Sequence, residues 1–268
     1  MKIFVCIKQV PGVSEVKIDP KTNTLVREGI LSILNPNDRN ALELALVLKE
    51  KHKAEVIALS MGPPQAEEVL REALAMGVDK GFLLSDKAFA GADTLATSHT
   101  LALAIKKILN ESESADKYVI ICGAQALDGD TGQVPPELAE ELGIPQITYV
   151  QNIDISGDRI IVERKFRATE IVVIETKLPA LISVLVDINK PRYPSMAGIM
   201  RAYEKANVIY FDSNALNADK SKIGLDGSMT EVKKIFFPER KVNPVMLKGS
   251  TEEIAKKLCQ YLKDDKIF

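Results

Sequence analysis

The polarity pattern changes character partway along the chain. From Lys2 to Gly143, short apolar runs alternate with longer segments whose apolar residues recur every three or four positions. The runs Ile3–Ile7, Glu55–Ser60, Gly81–Leu84 and Tyr118–Cys122 predict strands, and three of the four are rich in β-branched residues. Parallel strands covered by helices on both faces read this way. Asn37 and Asp38 are cap candidates for a helix through about Lys51, with Leu42, Ala45, Leu46 and Lys49 along one stripe. Pro63-Pro64 opens the next helix, which runs to Met76 and closes at Gly77. Asp93 or Thr94 starts a long helix ending near Asn110, and Thr131 or Gly132 starts another through Leu142, before Gly143. The fold class expected from this alternation is α/β, with a doubly wound, mostly parallel sheet.

Two departures interrupt the alternation. Val16-Lys17-Ile18 and Thr24-Leu25-Val26 flank a turn-like Asp19–Asn23 and predict a small hairpin in the first crossover. After Gly143, four strands follow with short turns: Ile147–Ile155, Arg159–Phe166, Glu170–Thr176 and Ala180–Val186. They read as antiparallel strands added to the sheet or beside it, with Ser156-Gly157-Asp158 as a hairpin turn. From Asn189 on, Pro191, Pro194 and Gly198 punctuate the chain, and a short helix is expected over Ile199–Lys205. The stretch Asp212–Thr230 is polar and poor in core residues, and Ser250–Lys263 predicts a last helix. The expected division is an α/β domain over 1–190 and an extended arm over 191–268. Such a tail reads either as an arm laid on a partner or as a mobile terminus.

Composition narrows the function. The chain has 268 residues, 46% of them apolar, enough for a sizeable core. Formal charge is −2, with no long Lys/Arg run, which argues against a nucleic-acid partner. Apolar stretches such as Leu178–Val186 are too short to span a bilayer, and the opening residues carry no signal-peptide pattern. Cys6, Cys122 and Cys259 form neither a CxxC pair nor a zinc set with His52 and His99, so no metal site is expected. Cytoplasmic localisation is the expectation that follows.

In open parallel sheets, ligands sit beyond the carboxyl ends of the strands. Those ends carry Cys6-Ile7-Lys8, Ser60-Met61-Gly62, the loop before Asp93, and Cys122–Gln125. Gly91–Thr97 crowds hydroxyls and a carboxylate at a helix start, where free amides and threonine hydroxyls suit a phosphate. Ordinary capping by Asp93 and Thr94 accounts for the same composition. Gly123–Val134 follows a buried strand and opens a helix. Gly129 and Gly132 allow close backbone approach, Thr131 and the helix start suit a phosphate, and Gln125 and Gln133 are donors. Asp128 and Asp130 would repel phosphate if they faced it, so they read as ribose ligands, caps or loop braces. There is no GxxxxGK[ST] loop, no GxGxxG fingerprint and no nucleophile elbow. No catalytic residue is expected: the chain reads as a nucleotide holder without acid–base machinery.

Over nearly its whole length the chain resembles the beta subunit of electron transfer flavoproteins. The likeness rests on Val5–Pro11, Asn35-Pro36-Asn37-Asp38, Gly91–Thr97 and Gly123–Pro135, then on Val162-Glu163-Arg164 with Glu170, Leu178-Pro179-Ala180 and Pro191-Arg192-Tyr193-Pro194. It implies the adenine-nucleotide-binding α/β fold, and an alpha subunit, carrying a redox-active FAD, that the C-terminal arm wraps. It also implies a beta-subunit nucleotide, FAD or AMP. The short Asp128–Gln133 turn resembles the electron-bifurcating type. That type holds FAD here, takes electrons from NADH, and sends them to ferredoxin or flavodoxin and, through the alpha-subunit FAD, to an acyl-CoA or hydroxy-acid dehydrogenase. The alternative is a non-bifurcating subunit with structural AMP. Cofactor contacts are then expected at Cys6, Ile7, Lys8, Asn35, Asp38, Ser60, Met61, Asp93, Thr94, Thr97, Gly123, Gln125, Asp128, Gly129, Thr131, Gly132, Gln133 and Val134. Partner contacts are expected at Arg192, Tyr193, Pro194, Ser195 and Met196, with Met196 as an apolar anchor.

Overall fold

Each apolar run of the first half becomes a strand, and each helix between them returns the chain to the same edge. The structure, a computed structural model, describes residues 1–12, 32–112, 117–166, 170–204, 208–233 and 244–265. In chain order the elements of the first half are β1 (Lys2–Cys6), β2 (Gln9–Pro11), β3 (Ser32–Leu34), α1 (Pro36–His52), β4 (Glu55–Met61), α2 (Glu67–Met76), β5 (Lys80–Leu84), α3 (Thr94–Asn110), β6 (Tyr118–Gly123) and α4 (Val134–Leu142). Then come β7 (Gln146–Ser156), β8 (Arg159–Lys165), β9 (Ile171–Lys177), β10 (Ala180–Val184), α5 (Met196–Glu204), β11 (Val208–Phe211) and α6 (Thr251–Asp264). The chain divides into two units, Met1–Lys233 and Lys234–Phe268.

The nine-stranded sheet has the order β11-β5-β4-β1-β6-β10-β7-β8-β9. From β11 through β7 every neighbouring pair is parallel, and β7-β8-β9 is an antiparallel meander. The predicted fold class is what forms: a doubly wound, mostly parallel sheet. Helices α1 and α2 pack on one face, with Leu42, Ala45, Val69 and Leu70 against Ile3, Val5, Val56 and Ala58. Leu101, Ile105, Leu138 and Ala139 of α3 and α4 pack on the other, against Phe4, Ile57, Leu59 and Ile120. Strand positions therefore alternate between two apolar layers, which is why the runs lack polar residues.

Several expectations need correction. The strand Ala180–Val184 is not antiparallel: it inserts between β6 and β7, parallel to both. Apolar content shows that a strand is buried but not which way its neighbours run. Strand β11 has no counterpart in the sequence reading; it extends the parallel edge beside β5. The stretch after it, read as poor in core residues, buries Ser213, Leu216 and Ile223. Residues 208–233 thus lie in the first unit. Asn35, not Asn37 or Asp38, is the residue before α1, because Pro36 takes the first helical position. The second helix opens as a single 3-10 turn, Pro64–Ala66, before α2. Helix α4 starts at Val134, not at Thr131 or Gly132, since Asp130 (φ 53°) and Gly132 (φ 63°) hold left-handed conformations. The predicted hairpin at 16–26 lies outside the described residues. Gly157 (φ 66°) makes the expected turn between β7 and β8.

Within the second unit, α6 begins with a capping box between Ser250 and Glu253. Leu258 and Tyr261 on it are exposed.

Candidate functional site

Order in the sheet reverses between β1 and β6, because the chain builds β4 and β5 on one side of β1 and then crosses to start the other. Loops leaving the carboxyl ends of these two strands diverge to opposite faces, and the crevice they open is the expected ligand position. The loop after β1 holds Ile7 and Lys8, and the loop after β6 holds the glycine-rich turn.

The start of α1 locks those loops together. The Asp38 carboxylate accepts a hydrogen bond from the Lys8 amide at 2.8 Å. Asn35 Nδ2 and Asn37 Nδ2 donate to the Gln125 carbonyl at 3.0 and 2.8 Å, and the Leu127 amide donates to Asn35 Oδ1 at 3.1 Å. A Cβ on Gly123 would sit 2.7 Å from the Asn37 backbone and also strike Asp38, so only glycine fits where strand and helix meet. Burial pushes the Asp38 carboxyl up to about 7, against the hydrogen bonds of Asn35, Lys8 and Gly123 that favour the ionised form. Cys6 and Cys122 are register partners on β1 and β6 beneath this junction, and both are buried.

Facing solvent, Lys8 Nζ lies 2.8 Å from both Asp128 oxygens. The pair is partly exposed, so its net worth is about 0–1 kcal/mol, less than a charge-assisted bond to a phosphate. Lys8 can therefore exchange partners when an anion arrives. Gln125 Nε2 donates to the Asp130 carboxylate, which braces the turn. Nothing lies within 4 Å of a Cβ placed on Gly129, so that backbone is open to approach.

The two loops predicted to hold phosphate do come together. Thr94 Oγ1 lies 3.3 Å from Gln133 Oε1 and 3.1 Å from Glu137 Oε1. Asp93 caps α3 through the Ala96 amide at 3.0 Å. Its second oxygen accepts from the Met229 amide at 2.8 Å and from the Thr230 amide and hydroxyl at 3.0 Å. Both carboxylate oxygens are thus committed to the protein's own backbone. Helix α4 supplies fewer amides than its position suggested: Pro135 and Pro136 follow Val134 and have no N–H. A phosphate at this rim would have to take its donors mainly from the turn through Gln133 and Val134, where Thr131 Oγ1 lies 3.5 Å from the Gln133 amide.

Other predicted contacts stand apart. No hydrogen bond among the described residues joins Ser60, Met61 or the Thr97 side chain to the turn. The Ser60 hydroxyl is buried with no partner there, and Met61 packs against the α3–α4 layer. Two side chains at the rim were absent from the sequence reading. Glu137 sits one helical turn after Gln133; burial raises its carboxyl above the usual range, and the hydroxyls of Thr94 and Ser98 oppose this. Tyr149 reaches the same turn from β7. A sequence signal existed for Glu137, in its spacing from Gln133, but none for Tyr149.

The predicted partner loop divides in two. Arg192 is pinned: its guanidinium meets Glu43 at 2.9 and 3.0 Å and Glu50 at 2.6 Å. Asn40 Nδ2 meanwhile donates to the Val186 and Asn189 carbonyls at 2.9 and 3.0 Å. Beyond this anchor Tyr193 is 91% and Met196 74% exposed. Ser195 Oγ accepts from the Gly198 amide at 3.0 Å and opens α5. No helix among the described residues is long and apolar enough to cross a membrane, and none of their His, Cys, Asp and Glu side chains group to hold a metal.

Sheet order and the crevice at its switch point define a doubly wound α/β protein. Residues 22–214 match the electron transfer flavoprotein domain. The chain belongs to the electron transfer flavoprotein family, as a relative of its beta subunits. It is 47% identical over 262 residues to the electron transfer flavoprotein subunit beta of Thermoanaerobacterium thermosaccharolyticum, covering 98% of each chain. It is 47% identical over 270 residues to the caffeyl-CoA reductase-Etf complex subunit CarD of Acetobacterium woodii, covering 100% of both. With the acryloyl-CoA reductase electron transfer subunit gamma of Anaerotignum propionicum it shares 43% identity over 268 residues, 98% of each.

Proposed function

We propose that this chain is the FAD-holding beta subunit of a heterodimeric, electron-bifurcating flavoprotein. The assembled pair would take electrons from NADH, passing one to ferredoxin or flavodoxin and the other, through the alpha-subunit FAD, to an acyl-CoA or hydroxy-acid dehydrogenase. The observation that carries the reading is the convergence of Lys8, Thr94 and the Asp128–Gln133 turn on one crevice, with Gly129 open and the helix start of α3 beside it. Names of relatives tied to caffeyl-CoA and acryloyl-CoA reductases support the electron-delivery role.

A bound FAD would supply the redox chemistry, and this chain would supply placement and electrostatics. Lys8 would leave Asp128 to meet the diphosphate. Gln133, Val134 and the preceding turn would donate amides. Asn35 and Asn37 would keep the turn in place, and Asp128 and Asp130 would stay on the ribose side or as braces. Tyr193, Pro194, Ser195 and Met196, presented by the Arg192–Glu43–Glu50 anchor, would meet the dehydrogenase. The exposed face of α6 would lie on the alpha subunit.

Acid release of nucleotides from the co-purified pair tests the reading. Two FAD per heterodimer are expected. One FAD with one AMP would favour the non-bifurcating alternative.

A further inference from the structure

Tyr149 holds a backbone conformation that a bulky aromatic residue rarely adopts, φ +59°. It sits where β7 is irregular on both sides. Register with β10 shifts between Ile182 and Val184, and register with β8 shifts between Val150 and Asn152. Bulges of this kind re-aim a side chain, and they concentrate beside functional sites.

Neighbouring groups hold the distortion in place. The Tyr149 amide donates to Ser183 Oγ at 3.3 Å, and Ser183 is buried. Arg164 donates to the Thr148 carbonyl at 3.0 Å and to its hydroxyl at 3.3 Å. The Leu185 amide donates to the Val150 carbonyl at 3.2 Å. Ser183 pairs with Cys122 and Val184 with Gly123, which puts the bulge beside the carboxyl end of β6.

The phenol consequently points out of the core to the glycine-rich turn. Its Oη is 3.7 Å from the place a Cβ on Gly132 would occupy, and the residue is 39% exposed. Among the described residues the hydroxyl has no hydrogen-bond partner. Nor do the nearby carboxylates need it, since Asp128 is met by Lys8 and Asp130 by Gln125. A strained backbone fixed from three sides, ending in an unused donor at a ligand-facing turn, is the signature of a preorganised contact.

We infer that Tyr149 is a nucleotide-binding residue whose hydroxyl donates to a phosphate oxygen held on the Gly129–Val134 turn. The inference rests on the proposed nucleotide site. Its test uses the co-purified pair freed of bound nucleotide, with ADP and adenosine as probes in titration calorimetry. Tyr149→Phe should weaken ADP by about tenfold or more, the size of one hydrogen bond to a charged group, and leave adenosine unchanged. Tyr149→Gly should also lose ADP affinity, yet melt no lower than wild type without nucleotide, because glycine takes φ +59° freely. Equal ADP affinity in wild type and Tyr149→Phe would overturn the inference while leaving the site intact. Equal losses for ADP and adenosine would remove the phosphate assignment. A lower melting temperature for Tyr149→Gly with unchanged ADP affinity would mark a packing residue. Failure of wild type to bind ADP would overturn both this contact and the proposed site.

Discussion

At the scale of single residues, the site depends on groups whose surroundings oppose their ordinary behaviour. Asp38 is held near neutrality by burial, up to about 7 from 3.8. The folded protein then keeps a proton that the unfolded chain releases from about pH 4 upward, so stability falls as pH rises through that window and levels off above 7. Asp38→Asn keeps an acceptor for the Lys8 amide and removes the titration. Its melting temperature should be flatter between pH 5 and 8 than that of wild type; parallel curves would refute the burial argument. Lys8→Met should weaken nucleotide retention by about 1.5–3 kcal/mol, the worth of one charge-assisted bond, read from the nucleotide left after dialysis. Unchanged retention would leave Lys8 as a surface brace for Asp128. Glycine-rich composition and the residues around it were legible in the sequence, and so was the meeting of Thr94 with the second loop. Illegible were contacts made across long separations, such as Asp38 on the Lys8 amide. The start of α4 read as suiting a phosphate although Pro135 and Pro136, which have no N–H, stand in its first turn.

Among elements, two aspartates fasten residues 211–230 to the loop before α3. Asp86 accepts from the Ser213 amide at 2.9 Å and its hydroxyl at 2.6 Å, while Asp93 holds Met229 and Thr230. Hydrogen bonds from Ala88 and Ser213 lower the Asp86 carboxyl to about 2. The contribution of Asp86 is therefore complete above about pH 4 and is lost as pH falls toward 2. Asp93→Ala should cost about 1–2 kcal/mol through the α3 cap and speed hydrogen exchange at the Met229 and Thr230 amides. Faster exchange spread evenly over the sheet, with no excess at those amides, would contradict the clamp. Strands β1, β4, β5 and β6 could be read from their apolar runs because both faces are covered. The direction of β10 could not, since burial is the same for parallel and antiparallel neighbours. Strand β11 is short, and its exposed Ile209 and Tyr210 blur the pattern at an edge.

For the whole molecule, the first unit carries the sheet, the crevice and the anchored Tyr193–Met196 loop, and the second carries an amphipathic helix with an exposed face. The chain's membership in the electron transfer flavoprotein family sets the work of this sheet within electron transfer. The proposed function requires the diphosphate of an adenine nucleotide to lie on the turn after β6, between Lys8 and the start of α3. The most direct measurement is a crystal structure of the co-purified pair with its native nucleotide retained. Density for a diphosphate within hydrogen-bond reach of Lys8 and the amides from Gly129 to Val134 is the expected result. A crevice filled only by ordered water, with every nucleotide of the pair bound elsewhere, would contradict it.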